Sequence, residues 1–170
     1  YPTNLGFDVS TPREWTSDYN RRYRDFWGHR LSYAEVLDRE SDVLLSYMLK
    51  GDINPLMFHQ ANLRAYDGEH TLLTDLLRAT LRKYAALYRL PVLSPQMQKL
   101  GERVRRRTAY DRAGVMASAS PGGRVRLLSR RAAEAPVTGL ESPGAEVYGG
   151  EPTTYVALEP GEPAVLPLRE

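Results

Sequence analysis

A short apolar run between two helix-patterned segments is the feature that most constrains the fold of this chain. Residues 55–58 read Pro-Leu-Met-Phe, and the polar residues His59, Gln60 and Asn62 follow at once. An apolar run without polar alternation indicates a strand buried on both faces, which is typical of a sheet covered by helices. Polar residues at the carboxyl end of such a strand lie at the edge where α/β sheets and barrels carry their sites. The pattern therefore predicts an α/β domain with His59 at a strand end.

Three helices are predicted around this strand from capping signals and helical spacing. Residues 11–14 and 32–35 are capping boxes, and the helices that they open are expected to end at Gly28 and Gly51. The third helix is predicted over residues 71–90, with a broad apolar stripe that we expect to be buried. The members of the stripe are Leu72, Leu73, Leu76, Leu77, Leu81, Tyr84, Leu87 and Tyr88. A very short strand is predicted at 91–93, and a last helix follows Pro95.

Two dense charged stretches belong to these helices. Residues 38–42 lie in the second helix, where such a run is typical of a solvated face with paired charges. The last helix ends in a basic cluster that comprises Arg103, Arg105, Arg106, Arg107 and, slightly later, Arg112. This cluster would suit a phosphate or an acidic polymer, and it equally suits the negative end of a helix dipole. Because the net charge is only +2 and no base-reading motif occurs, nucleic acid is not an expected partner.

The character of the sequence changes after Gly114. Residues 115–120 and 124–129 predict a hairpin around a Pro-Gly-Gly turn, and Gly- and Pro-rich turns separate further short strands. These are predicted at 147–148, 154–158 and 164–168. The stretch 130–135 could instead extend as a helix. We therefore predict two domains, residues 1–113 and a small antiparallel β module over 114–170.

Some protein classes are excluded by composition. The chain has no cysteine, which excludes disulfides and thiolate metal sites. No apolar run is long enough for a membrane span, and no signal peptide is visible. Because the sequence opens on Tyr1 without a methionine, we expect it to be a fragment that lacks its amino-terminal part.

Three stretches of the sequence resemble one enzyme family. Residues 52–62 read Asp-Ile-Asn-Pro-Leu-Met-Phe-His-Gln-Ala-Asn, and they are accompanied by residues 1–4 and 38–42. Together they resemble the carboxy-terminal part of exopolysaccharide deacetylases, most of all the galactosaminogalactan deacetylases. The resemblance extends over residues 1 to 110. It implies the carboxy-terminal part of a distorted β/α barrel, followed by a small antiparallel β module.

The resemblance also implies site residues. His59 is similar to the last-strand histidine of such enzymes, which acts as general acid toward the departing amine. Residues 1–4 resemble the loop that lines the substrate groove, and we expect Asn4, Gln60, Asn62 and Arg64 to contact substrate. In these enzymes an Asp and two His of early strands hold a divalent metal, expected to be zinc, and a second early Asp is the base. No residue of this chain matches those four, so the isolated chain is expected to bind no metal and to be inactive.

The implied reaction is hydrolysis of the acetamido groups of an amino-sugar polysaccharide. The polymer is expected to contain N-acetylgalactosamine, and the location is expected to be extracellular or at the cell surface. Two alternatives remain open. His59 could be a hydrogen-bonded core histidine, and the chain could be a non-catalytic carbohydrate-binding or interaction module built from its aromatic helix and β tail. The oligomeric state is not predicted.

Overall fold

The computed structural model describes residues 3–120, 123–140 and 142–167. The chain divides into two compact units, Tyr1–Arg89 and Leu90–Glu170. The described residues form five α-helices and two antiparallel sheets of three strands each. This is a small mixed α+β fold.

The first unit is helical. Its elements are α1 (Pro12–Arg22), α2 (Arg24–Trp27), α3 (Tyr33–Leu49), a 3-10 turn (Gln60–Leu63) and α4 (Leu72–Leu87). Both predicted capping boxes are confirmed, because the side chains of Thr11 and Ser32 accept the backbone N–H of a glutamate three residues later. The first predicted helix is interrupted at Tyr23, so Gly28, with φ 69°, ends α2 rather than α1.

The core of the first unit lies where α1, α3 and α4 meet. The buried apolar residues are Leu5, Val9, Trp15, Tyr19, Leu31, Val36, Leu44, Leu72 and Leu76. Each such side chain contributes about 1.5–3 kcal/mol relative to exposure. The buried part of the α4 stripe is narrower than expected, since Leu77, Leu81 and Leu87 are 39%, 45% and 60% exposed. Only the edge of the stripe that holds Leu72 and Leu76 is buried, and the remaining leucines extend beyond the packed face.

The predicted β/α barrel is wrong, because the described residues contain no barrel and no parallel sheet. Residues 55–59 form neither a helix nor a strand, and Met57 alone among them makes a single bridge pairing. The carbonyl of Met57 accepts the hydroxyl of Thr3 at 2.8 Å, and the Met57 side chain is 51% exposed. An apolar run becomes a sheet strand only where neighbouring strands supply a hydrogen-bond ladder. The first unit places helices around this segment instead. The strand predicted at 91–93 is likewise absent from the described structure.

The second unit combines one helix with two sheets. Its elements are α5 (Met97–Ala113), β1 (Met116–Ser120), β2 (Arg124–Leu128), β3 (Ala133–Thr138), β4 (Glu146–Tyr148), β5 (Glu151–Leu158) and β6 (Ala164–Pro167). The sheets have the orders β1-β2-β6 and β3-β5-β4, and every pairing is antiparallel. Leu127, Ala135 and Leu158 form their buried core.

The expectation of a β-rich region after Gly114 is confirmed for the residues that the structure describes. Strand β3 forms across part of the stretch 130–135, which the sequence left open to a helix. Pro121, Gly122 and Leu168 lie outside the described residues. The compact units divide the chain between Arg89 and Leu90, while the domains 1–113 and 114–170 stay a prediction.

Candidate functional site

His59 occupies the N-cap position of the 3-10 turn that replaces the predicted strand end. Its backbone is held from both sides by one residue. The N–H of His59 donates to Asn62 Oδ1 at 2.9 Å, and its carbonyl accepts the N–H of Asn62 at 2.9 Å. The imidazole itself is half-buried. The main chain at His59 is therefore fixed by the backbone and the side chain of Asn62.

Asn62 extends this restraint to the loop before α1. The residue is fully buried, and its Nδ2 donates to the carbonyls of Gly6 at 3.0 Å and Val9 at 2.9 Å. With Oδ1 bound to the N–H of His59, both ends of the amide are committed to backbone groups. We call these three hydrogen bonds the Asn62 clamp. The predicted substrate contact of Asn62 therefore has to compete with bonds inside the protein.

Phe7 lies between the two carbonyls that the clamp holds. Its side chain is 77% exposed, and its ring centroid lies 4.9 Å from that of His59 at an interplanar angle of 65°. The edge-to-face arrangement is a favoured geometry for aromatic pairs. An ordered, exposed phenyl ring thus stands directly beside the candidate histidine. Sequence reasoning missed Phe7 because the clamp partners lie more than fifty residues from Asn62 along the chain.

The three histidines of the chain have different surroundings. Nδ1 of His70 lies 2.7 Å from Oδ2 of Asp67, and Nδ1 of His29 lies 2.9 Å from the carbonyl of Trp27. The imidazole of His59 makes no hydrogen bond or ion pair with another side chain of the described residues. The side chain of His59 instead takes part in the capping box of the 3-10 turn, where it accepts the backbone N–H of Asn62, and its ring packs against that of Phe7.

Asn4, a predicted substrate-binding residue, belongs to a buried polar network. Its Nδ2 donates to both carboxylate oxygens of Glu40 at 3.0 Å, and its Oδ1 accepts the hydroxyl of Tyr23 at 2.7 Å. The hydroxyl of Tyr19 donates to Glu40 Oε1 at 2.8 Å. Burial, followed by this bond to Glu40, raises the pKa of Tyr19 above its ordinary range. The Asn4 side chain therefore positions the loop, and Tyr1 and Pro2 beside it lie outside the described residues.

The solvated face expected for residues 38–42 is only partly correct. Glu40 is 3% exposed and Ser41 is fully buried, whereas Asp38 and Asp42 face solvent and pair with Lys83 at 2.7 and 2.6 Å. A signal for the buried glutamate was present. Glu40 follows Val36 and precedes Leu44 by four residues each, so all three share one helix face.

Gln60 and Arg64, the remaining predicted substrate contacts, flank the clamp. Both are exposed, and their side chains make no hydrogen bond or ion pair with any other residue that the structure describes. They are thus free to bind a ligand, unlike Asn4 and Asn62.

A second polar cluster lies in a cleft of about 340 Å³ at the start of α4. Oδ2 of Asp75 accepts the hydroxyls of Tyr33 at 2.6 Å and Tyr66 at 2.7 Å. Burial and the bond to Asp75 raise the pKa of Tyr66 to about 12. Asp67 accepts the N–H groups of residues 69 and 70, as a turn requires, and these bonds lower its pKa to about 2. Asp67 therefore has a structural role in the turn before α4.

Two arginines of the basic cluster in the last helix make ion pairs and a ring contact within the second unit. Arg106 binds Glu134 at 2.8 Å and stacks over the ring of Tyr155 at 3.9 Å, while Arg103 binds Glu146 at 2.9 Å. These contacts account for two of its arginines through local structure.

The described residues do not fit a metal site, because no three His, Asp or Glu side chains among them are placed to hold one ion. Within the same residues, no helix is long and apolar enough to cross a membrane. Comparison of the chain with protein-family models, with curated proteins and with solved structures finds no match. The resemblance to deacetylases therefore remains a hypothesis about function.

Proposed function

We propose that this chain belongs to a polysaccharide N-deacetylase that acts on a polymer of N-acetylhexosamine, in which His59 protonates the departing amine. The proposal rests on the way in which the structure holds His59. Its backbone is clamped by Asn62, and its ring is bound to no other side chain of the described structure. The His59 side chain is half-buried, whereas a core histidine would be enclosed by other residues.

The proposed step is the collapse of a tetrahedral intermediate formed by addition of water to the acetamide carbonyl. The carbon–nitrogen bond breaks, its electron pair goes to nitrogen, and the His59 imidazolium donates the proton that turns this nitrogen into an amine. Acetate leaves as the second product, and the neutral imidazole regains its proton from solvent. Histidine suits this role because its ordinary pKa of about 6.5 lets it donate a proton near neutral pH.

The divalent metal implied by the resemblance would have to be held by other residues of the complete protein. The step assigned to His59 uses no metal bound by this chain. Gln60 and Arg64, whose side chains are exposed beside the turn, are the proposed hydrogen-bond donors to the sugar hydroxyl groups. An amino-sugar polysaccharide as partner places the proposed enzyme outside the cell or at its surface.

A non-catalytic carbohydrate-binding module is the second candidate. The observation that favours it is the exposed ring of Phe7, because an exposed aromatic on a rigid loop can bind sugars without any reaction. The two candidates agree on the ligand and differ in whether acetate is released.

The test is acetate release from an N-acetylgalactosamine polymer by the complete gene product. His59→Asn should reduce turnover by about 10²- to 10⁴-fold, the usual contribution of a general acid, with metal content unchanged. His29→Asn is the matched control, since His29 is exposed and bonds only the carbonyl of Trp27, and it should keep full turnover.

Three outcomes would contradict the proposal. Full activity of His59→Asn would return His59 to a structural role. Loss of metal together with activity would make it a ligand instead of an acid. Absence of acetate release by the unmodified protein, with polymer binding intact, would favour the carbohydrate-binding module.

A further inference from the structure

We propose that Phe7 and His59 form a pyranose-binding subsite, in which the exposed face of Phe7 stacks on the apolar face of one hexosamine ring. This subsite rests on the proposed function, because it defines where the reacting sugar sits. Three features of the first unit carry it: the rigidity of the Phe7 loop, the contact between the two rings and the polar groove beside them.

The Phe7 loop is rigid although its side chain is in solvent. The Asn62 clamp holds the carbonyls of Gly6 and Val9, one on each side of Phe7. The loop is also closely packed at Gly6, where an added Cβ would lie 2.9 Å from Asp18 Oδ2 and 3.3 Å from Val9 Cγ1. A backbone held this way loses little conformational entropy when a ligand binds to the loop, and the contact with His59 orients the ring of Phe7.

The ring contact directs the stacked sugar toward the candidate acid. The centroids of Phe7 and His59 lie 4.9 Å apart at 65°, so the edge of one ring meets the face of the other and a ligand on Phe7 would lie next to the imidazole. A pyranose has an apolar face of C–H groups that packs on an aromatic face. Its equatorial substituents then extend sideways, toward the imidazole. After deacetylation the product carries an ammonium group, which the face of an aromatic ring also attracts.

The neighbouring surface suits the polar edges of a polymer. Asp8, directly after Phe7, lines an open groove of about 740 Å³ along α1, together with Thr11, Arg13 and Ser17. Hydroxyl, carboxylate and guanidinium groups are the hydrogen-bonding partners that sugar hydroxyls require. A chain with one ring on Phe7 can therefore lay adjacent rings in this groove.

Phe26 offers a matched control. Its side chain is 75% exposed, almost as much as that of Phe7, and its ring contacts Trp27 at a centroid distance of 4.6 Å. No contact joins Phe26 to a histidine among the described residues. A substitution at Phe26 therefore removes an equally exposed phenyl ring without touching the proposed subsite.

The experiment measures binding of the 170-residue chain to soluble polymers of N-acetylgalactosamine, before and after partial deacetylation, by affinity electrophoresis. Phe7→Ala should weaken binding by about fivefold to tenfold, the size expected for one aromatic stacking contact. Phe7→Leu should weaken it similarly, because it keeps an apolar side chain but has no ring. Phe7→Trp should retain binding, and Phe26→Ala should match the unsubstituted chain.

Three results would overturn the subsite. The first is equal binding by Phe7→Leu and the unsubstituted chain, and the second is no binding by the unsubstituted chain. The third is an equal loss of binding in Phe7→Ala and Phe26→Ala. Tryptophan fluorescence checks that each variant is folded. Experiments on the complete gene product distinguish the proposed catalytic role of His59 from the proposed subsite at Phe7. Phe7-dependent binding without acetate release would refute catalysis and keep the subsite. Acetate release with an unchanged KM in Phe7→Leu would refute the subsite and keep catalysis.

Discussion

Replacing Asn62 by alanine tests the clamp on which the geometry around His59 depends. The change removes three hydrogen bonds, to the N–H of His59 and to the carbonyls of Gly6 and Val9. The first two bonds are only part-buried, so water can replace the lost partner at a cost of about 0.5–1.5 kcal/mol each. The Val9 carbonyl is in a buried setting and bears the larger penalty of about 1–3 kcal/mol. We therefore expect Asn62→Ala to lower the free energy of unfolding of the first unit by about 2–6 kcal/mol.

The positions of the two tryptophans allow fluorescence to measure the unfolding of the first unit alone. Trp15 and Trp27 both lie in the first unit, so tryptophan fluorescence follows its unfolding and not that of the second unit. For a urea slope of about 2 kcal/mol per molar, the middle of the range for a small domain, a loss of about 2–6 kcal/mol moves the unfolding midpoint down by about 1–3 M. The slope itself should stay unchanged.

Asn54→Ala is the control for loss of an asparagine amide. Asn54 is exposed, and its side-chain amide bonds only Asp52, so the stability of the variant should stay within about 0.5 kcal/mol of that of the unsubstituted chain.

Asn62→Asp should make the stability of the first unit depend on pH. Its carboxylate would face two carbonyl oxygens, which raises the pKa of that carboxyl above about 3.9, and only the protonated form can donate to them. Its stability deficit should therefore shrink as the pH falls from 7 toward about 4.

Equal midpoints for Asn62→Ala and Asn54→Ala would refute the clamp. A deficit of Asn62→Asp that is independent of pH would show that the carboxyl does not face the carbonyls of Gly6 and Val9.

Two further predictions concern the core and the tyrosine cluster. Leu72→Ala should cost about 2–5 kcal/mol because Leu72 is fully buried, whereas Leu77→Ala should cost much less because Leu77 is 39% exposed; equal urea midpoints would contradict the packing described for α4. The raised pKa of Tyr66, about 12 against 10 in the unfolded chain, stabilises the fold fully below pH 10, and this contribution is lost as the pH rises through 12. Tyr66→Phe should therefore lose less stability than the unsubstituted chain between about pH 10 and 12 in urea titrations. Identical losses would refute the raised pKa of Tyr66.

The sequence was sufficient where structure depends on neighbours along the chain. The capping boxes at Thr11 and Ser32 predicted the starts of α1 and α3, since the caps use side chains only three residues apart. The hairpin around residues 121–123 was predicted for the same reason, and the structure places β1 and β2 on either side of it. The helical spacing of Glu40 from Val36 and Leu44 also indicated that Glu40 is buried. The charged residues next to it in the sequence favoured a solvated face instead.

The rest could not be predicted because it depends on distant partners. An apolar run such as residues 55–58 is compatible with a strand, but its own residues do not determine whether other strands lie beside it. The same holds for the candidate site. Asn62 could be predicted as a polar residue of the candidate site, but not as the partner of Gly6 and Val9. Phe7 acquires its position beside His59 only through those bonds.

The Asn62 clamp also determines when during folding this geometry can arise. It joins residues separated by 53 and 56 positions, and α1, α2 and α3 lie within the loop that it closes. Closing so long a loop has an entropic cost that is not recovered until the helices inside it have packed. The helices should thus be formed before Phe7 meets His59. The His59 N–H is bound by Asn62 Oδ1, so exchange of this amide hydrogen with solvent measures how often the clamp opens.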